Sequence, residues 1–417
     1  MEQISLKEGT DIFNKLLFSF MMFLVFLFNF NTDLIMGISG STWANLCILC
    51  FILWWSLHML KTGYVMWNPI YTCAGIFALL CFISYVYSYS PDDTIDKIQT
   101  IILVLLMSIC IFQYMTEERN IDFFLKIYSL SGTFMAIYIL FKSDLSMENR
   151  LGDAVGDANL VGITLALSAT VALYLFITSR NPLHLLQFLC MGAVIFLTGS
   201  RTASLMIVLA AVALLYLYAY ISHWKLTTML LITLFLVVVL FILWQAIMTI
   251  PSLYNALGIR IVSFFQISQG EHSINNEQST QTRMIFAQRA FDWFSNHPIW
   301  GNGIDSFSKY NASFADGRYC FSHCNYTELL SGLGILGFSA YYGMYFYAFV
   351  FICKSGNPHA LKYKALICTL IIEILIGDIG LVVYYEKSTW ILIAIIAGMI
   401  QEVCRRGKES QTDERNT

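Results

Sequence analysis

An all-α integral membrane protein, with about twelve transmembrane helices and one long polar loop carrying short helices, is the fold class this sequence predicts. Three observations predict it. The 417 residues are 58% hydrophobic and only 12% charged, against about 25% charged in an ordinary soluble domain. Mean hydropathy is +0.66 over the whole length, which excludes a soluble globule. Apolar stretches of roughly 20 residues recur about a dozen times, each long enough to cross a hydrocarbon core of about 30 Å as a helix.

Taken in order, residues 1–15 are polar, with Lys7 and Lys15, and lead into an apolar run from Leu16 to about Phe30. No small-residue cleavage site follows at the right distance, so a retained first helix is expected rather than a signal peptide. Further spans read as roughly 35–60, 69–89, 98–115, 121–141, 160–178, 183–199, 202–221, 226–250, 326–352, 365–384 and 388–404. The spans 183–199 and 202–221 are separated by almost nothing, which implies a tight hairpin at the membrane surface. The expected organisation is nine helices over 1–250, a polar loop over 251–325, three helices over 326–404 and a solvated tail over 405–417.

Net charge is −3, but its distribution carries more information. With the N-terminus inside, the cytoplasmic segments hold Lys7, Lys15, Lys61, Arg119, Arg180, Lys225, Lys354, Lys362, Lys364, Arg405, Arg406, Lys408 and Arg415. The short outer loops hold Lys97, Lys142, Arg150, Arg201 and Lys387. Positive residues favour the cytoplasmic side in short loops, and long loops are excused from the rule. Both termini are therefore expected in the cytoplasm and the 251–325 loop outside.

The eleven cysteines fall mostly in apolar runs (Cys47, Cys50, Cys73, Cys81, Cys110, Cys190 and Cys368), where they act as small hydrophobes. Cys320 and Cys324 alone sit together in a polar setting, and their spacing leaves a disulfide or a metal pair open. No second Cys/His pair at ligand spacing accompanies them, which argues against a zinc site.

Four polar clusters fall on the outer side. They are KSDLSMENRLGDAVGDAN over 142–159, TGSRT with Arg201, QTRMIFAQRAFDWFSNHPIWGNGIDSF with Arg283, and FSHCNYTELLSGLGILGF with His323. Charges at membrane mouths are costly unless paired, solvated or used, so their convergence on one side points to a common site. Each also has a structural reading. Arg201 can snorkel to headgroups. Arg283 and Arg289 lie on a helix whose apolar face is read as Phe286, Ala290, Phe291 and Phe294. His323 can be a helix-entry cap. Gly332, Gly334 and Gly337 suit close helix packing. Asn311 and Asn325 match the glycosylation pattern by chance. Glu373 and Asp378, inside a span, are either partnered in the bundle or face water.

The order of these clusters resembles the O-antigen ligase and polymerase family, the bacterial membrane glycosyltransferases of surface-polysaccharide assembly. NRLGDAVGDANLVG is similar to the family's Arg-Leu-x-Gly…Asp-x-Asn-Leu loop, and TGSRTASL to its Thr-Gly-Ser-Arg-Thr hairpin. Arg283 followed by HPIWGNGIDSF is similar to its Arg…His-Pro-x-x-Gly-x-Gly segment, and SHCNYTELLSGLGILGF to its Ser-His-x-x-Tyr-x-Glu…Gly-x-x-Gly segment. The motifs cover roughly 150–340. Ala158 stands where the family often has Pro, and Cys324 where a second Asn is frequent; neither departure removes a charged group.

The resemblance implies a GT-C-type glycosyltransferase in the bacterial inner membrane, active on the extracytoplasmic face and independent of metal or other cofactor. Its implied partners are a polyprenyl-diphosphate-linked oligosaccharide donor, a sugar acceptor, the lipid bilayer, and flippase and chain-length regulator proteins, with no nucleic acid. It implies His323, Arg201 and Arg283 as catalytic residues: arginine grips phosphate oxygens in a fork, and histidine serves as a base near neutral pH. Arg150, Asn159, Glu328 and Arg289 are the candidate substrate-binding residues, with Glu328 the alternative base. Of the other outer histidines, His297 precedes Pro298 in a turn and His272 lies in a Ser/Gln/Asn-rich stretch.

Within the family a polymerase extends lipid-linked repeat units into O-antigen or capsular polysaccharide, whereas a ligase transfers the chain to the lipid A–core of lipopolysaccharide. The compact outer loop favours the polymerase. A lipid-linked oligosaccharide flippase is the reading from another class; it should carry cations deep within several spans, and here the arginines lie at mouths and in the loop.

Overall fold

The computed structural model describes residues 2–28, 34–35, 38–63, 65–115, 118–142, 151, 157–259, 261–262, 277–314 and 317–416. Nine helices cover the first part of the chain: α1 (Glu2–Phe28), α2 (Gly40–Thr62), α3 (Pro69–Ser84), α4 (Pro91–Tyr114), α5 (Glu118–Lys142), α6 (Ala158–Ser179), α7 (Pro182–Leu197), α8 (Arg201–Ile221) and α9 (Leu226–Thr249). The polar loop contributes α10 (Glu277–Phe294) and the short α11 (Phe307–Ala312), and the chain ends with α12 (Asn325–Lys354), α13 (Pro358–Gly380) and α14 (Lys387–Asn416). A two-residue antiparallel ladder pairs Leu34–Ile35 with Ile38–Ser39.

Local chemistry sets several starts. Asn68-Pro69 and Asn181-Pro182 open α3 and α7: the asparagine side chain accepts from the backbone N–H of Ile70 or Leu183, and proline occupies the first turn, where its missing N–H costs nothing. Ser200 caps α8 in the same way, accepting from the N–H of Ala203.

Among the described residues nine helices are long and apolar enough to cross a membrane. The remaining three expected spans also fall on helices, but not on ones that meet that standard. α7 has 16 residues, α13 carries Lys362, Lys364, Glu373 and Asp378, and α1 begins with the charged stretch EQISLKEGTDIFNK. α14 continues as helix to Asn416, so the 405–416 segment expected as a plain tail extends the last helix.

The spans sort into layers by burial. In α6 and α14, 89% of the most apolar 18-residue window is enclosed by other helices. α9, apolar on every face, has none of its window enclosed, as suits a helix surrounded by lipid. In the core, Asp378 accepts hydrogen bonds from Asn325 and Tyr342, which settles it as a partnered group. The buried Glu373 carboxylate finds no hydrogen-bond partner among the described residues.

The two ends of the bundle differ. At one end a charge network ties four helices: Lys362 of α13 bridges Glu118 and Asp122 of α5, and Arg406 of α14 bridges Glu118 and Glu402. Lys15 and Arg119 meet at Asp11 of α1. At the other end lie all the motif segments that the structure describes.

α12 is not continuous. Gly334 has φ 63° and ψ −164° and breaks the helix. The break releases backbone groups that the turn before α11 takes up. Asn302 and Gly303 N–H donate to Ser331 and Gly332 carbonyls at 3.0 and 2.9 Å, and Ile335 and Leu336 N–H donate to Pro298 and Ile299 carbonyls at 2.9 and 3.4 Å. A Cβ on Gly334 would run into the Ile299 carbonyl, and one on Gly301 (φ 72°) into the Gly332 backbone. Gly332 and Gly334, expected to serve helix–helix packing, instead admit this turn.

Gly334→Ala should therefore lower the melting temperature of the detergent-purified protein by several degrees, since left-handed strain of about 1–3 kcal/mol adds to the clash. Gly75→Ala on α3, where an added Cβ meets nothing within 4 Å, is the control and should shift it negligibly. Equal melting temperatures for the two variants would reject the turn's dependence on Gly334.

Candidate active site

The site is assembled around α10. Arg283, Phe286, Ala290 and Trp293 fall on one stripe at intervals of three and four, and the last three are buried. They form a small separate core with Phe307, against which Tyr310 and Cys320 pack. The buried face is thus offset from the expected one: Trp293 is inside while Phe291 is 53% exposed. This stripe carries Arg283, at its N-terminal end, towards the helix ends below.

Arg283 donates to the carbonyl of Gly380, the last residue of α13, at 3.4 Å. Gly380 also abuts Thr202: a Cβ placed there would meet the threonine side chain. Thr202 follows Arg201, the first residue of α8. Gly380 therefore borders both the loop arginine, which donates to it, and the start of α8, where Arg201 precedes Thr202. The hairpin is held in turn by α6, where Gly162 faces Ser200, Ala203 and Thr198. Two residues expected from separate motifs, Arg201 and Arg283, thus belong to one neighbourhood.

His323 lies in the left-handed region, with φ 59°, immediately before α12. The cap position belongs to Cys324, and it makes no side-chain cap bond, so the helix-cap reading of His323 does not hold. Its Nε2 faces the Cys320 thiol at 3.3 Å, and its Nδ1 is buried with no hydrogen-bond partner among the described residues. The ring stacks parallel to Phe286, with centroids 6.3 Å apart, and meets Phe321 edge-on. Burial, reinforced by the positive charge of Arg283 and opposed by Asp157, pulls its pKa down to about 4. The imidazole is accordingly neutral at neutral pH, with one nitrogen engaged and the other unpartnered. Burial also raises the Cys320 thiol above its ordinary value. Cys320 and Cys324 are both free thiols.

Glu328 lies one turn into α12 and is buried, with Oε2 accepting from the N–H of Ser322 at 2.8 Å. This reach back to a residue two positions before the cap Cys324 is similar in kind to the acidic half of a capping box. It fixes Ser322 and with it His323. Asn159 opens α6 beside Asp157, whose side chain accepts from the Asn159 N–H at 2.8 Å. Arg289 is turned to structural contacts: it donates to Asn311 at 2.9 Å and lies 4.2 Å over the Phe314 ring. Arg150 and His272 lie outside the described residues. Asn311 and Asn325 are fully buried, which removes both as glycosylation sites.

One pair in the site was not singled out from the sequence. Lys97, at the start of α4, forms an ion pair with Asp305 at 3.4 Å and lies 3.4 Å over the Tyr385 ring. Asp305, with φ 61°, follows the glycine turn, and burial pushes its pKa up to about 6 against the opposing charge of Lys97. The available signal was a lysine in the short outer loop and an aspartate within GNGIDSF.

Arranged in this way, the end of the bundle offers the Arg283 guanidinium beside the start of α8, where Arg201 stands, and a neutral, partly enclosed imidazole for a proton. No curated protein matches the chain. Residues 186–342 match the family model described as O-antigen ligase, a stretch that runs from α7 through the hairpin, α10 and the glycine turn into α12. The match covers less than half of the 417 residues and is consistent with the O-antigen ligase/polymerase resemblance that the motifs carry.

Proposed function

We propose that the protein is a metal-independent, GT-C-type glycosyltransferase of the bacterial inner membrane that polymerises polyprenyl-diphosphate-linked oligosaccharide repeat units. Both termini are cytoplasmic and the motif-bearing end faces outward. The observation that carries this reading is that Arg283 donates to Gly380, which abuts Thr202 of the Arg201 hairpin, while the charge of Arg283 also acts on His323.

In this mechanism Arg201 and Arg283 hold the donor diphosphate. An acceptor hydroxyl oxygen attacks the anomeric carbon opposite the leaving group, inverting it. The bond from that carbon to the diphosphate oxygen breaks, and its electron pair leaves with the diphosphate, where the guanidinium forks stabilise the added charge. The hydroxyl proton passes to Nδ1 of His323. A ring with a pKa near 4 is a weak base in the empty site. Diphosphate bound to Arg283 offsets the positive field that depresses the ring, so the base strengthens as the donor arrives.

The direct test is purified protein incubated with lipid-linked repeat units. Longer chains are expected, whereas translocation without elongation would indicate a flippase and overturn the proposal. Transfer to lipid A–core instead of to another repeat unit would assign the ligase reaction.

If the arginines act as forks, lysine should rescue neither. The Arg201→Lys, Arg283→Lys double variant should make no polymer at normal membrane levels, and Arg289→Ala should be milder. Full-length polymer from the double variant rejects the clamp. A positioned base contributes about 10²–10⁴-fold, so His323→Asn should lose activity by that order, and near-normal polymer ladders would move the role to Glu328.

The acid limb of kcat/KM reports the free enzyme. Because the neutral ring accepts the proton, activity should persist below the free-histidine value of about 6.5 and fall only as pH approaches about 4. Arg283→Gln removes one of the depressing influences and should move whatever limb remains upward. A wild-type limb at 6.5 would contradict the enclosed neutral imidazole.

A further inference from the structure

The glycine turn also borders a concavity that none of the proposed catalytic residues lines. It has a volume of about 600 Å³ and is lined by Ile83, Tyr87, Tyr89, His297, Trp300 and Asn302. That volume is within the range of about 300–1,000 Å³ typical of small-molecule sites. Its rings are available: Tyr87, Tyr89 and Trp300 are 40%, 50% and 51% exposed.

The walls are held in place. The Tyr87 hydroxyl donates to the Trp300 carbonyl at 2.8 Å, and the Tyr89 N–H donates to the Asn302 carbonyl at 3.0 Å. The Tyr89 ring sits edge-on to Trp293. Asn302 Nδ2 donates to the carbonyls of Trp293 and Ser331. The floor is therefore bonded to Ser331, whose own hydroxyl donates to the Glu328 carbonyl at 3.1 Å. A molecule in this cleft lies one helical turn of α12 from the proposed site.

We infer that this cleft binds the neutral, polyhydroxylated acceptor saccharide, its sugar rings stacked by their C–H faces on Trp300 and the tyrosines; the inference rests on the transferase reading above. The chemistry of the lining selects this occupant. No Lys, Arg, Asp or Glu is among the lining residues, which disfavours a diphosphate or a charged headgroup. Fixed aromatic faces offer contact area at little conformational cost. The exposed His297 ring among these faces offers a hydrogen-bond partner that a hydrocarbon chain would leave unpaired.

The test is binding of the repeat-unit oligosaccharide, released from its lipid by mild acid and fluorescently labelled, to the full-length protein in detergent. Trp300→Leu should weaken binding about five- to tenfold, the range expected for loss of one aromatic contact, and Trp300→Phe should weaken it far less. His297→Ala, at a second exposed position, should raise the acceptor KM while leaving the donor KM unchanged. Added pyrophosphate should not displace the oligosaccharide. Unchanged affinity in Trp300→Leu, displacement by pyrophosphate, or no binding by the wild-type protein would each overturn the cleft assignment. Wild-type binding that Trp300→Leu weakens, in protein that never elongates lipid-linked units, would sustain the cleft and reject the polymerase reading. Elongation by wild type together with full binding by Trp300→Leu would do the reverse.

Discussion

An unpaired backbone N–H or carbonyl inside a membrane protein costs several kcal/mol, and the break of α12 at Gly334 exposes such groups. The turn from Pro298 to Gly303 pairs them from both sides of the break. The exchange fixes more than the helix. It sets the height of the turn against α12, and so the placement of Asp305 beyond it and of Glu328 one turn above it. On its other flank the turn is pinned to the end of α3 and the start of α4: the Ile304 N–H donates to Ser84, and Thr94 donates to the Ile304 carbonyl. Gly303, with φ 100°, lies against Ser88 so closely that a side chain there would collide with it. Rearranging the turn would unpair backbone groups in α12 and lose these contacts together.

A rigid turn matters because the polar groups around it come from distant parts of the chain. The loop between α13 and α14 is tied to the start of α12 by Asn325, whose Oδ1 accepts from the N–H groups of Val383 and Tyr384 at 3.0 and 3.1 Å. The same side chain donates to Asp378. Since Gly380 closes α13 two residues later, the carbonyl to which Arg283 donates is held by the same anchor as His323. A shift of α13 would move both. This is the arrangement expected of groups that must keep a fixed separation, and it places the positioning on helices rather than on the loop.

Much of this was legible in the sequence, and the gaps have physical causes. Hydropathy marks helices wherever lipid or a buried core demands apolar side chains, as in α6 and α9. It marks α13 less well, because Glu373 and Asp378 are inside the bundle and Lys362 and Lys364 lie near its end. The motif order pointed to Arg201, Arg283 and His323. It could not show that Arg283 and the Thr202 next to Arg201 share Gly380, a residue in none of the motifs, nor that Lys97 pairs with Asp305. The glycines of SGLGILGF were read as packing residues because small residues at that spacing commonly are. Distinguishing a helix break from a close crossing requires knowing what approaches the backbone. The face of α10 was misjudged for a related reason: Phe291 and Trp293 are both aromatic, and which of them is buried depends on α11, whose Phe307 and Tyr310 meet Trp293.

The charge distribution about the turn bears on how the donor and acceptor proposed above would be kept apart. Arg283 and the Lys97–Asp305 pair are charged, whereas the lining of the cleft is uncharged. A diphosphate would gain charge-assisted contacts at the charged groups and none in the cleft, where it would also lose hydration. A neutral sugar chain would gain stacking area in the cleft and have no comparable advantage at the charged groups. Under the proposed reading the two environments would therefore differ in which substrate they favour, without any moving gate. The same turn that closes the break in α12 lines the uncharged cleft through Trp300 and Asn302, so in the proposed reading the fold and the sorting of substrates would share one structural origin.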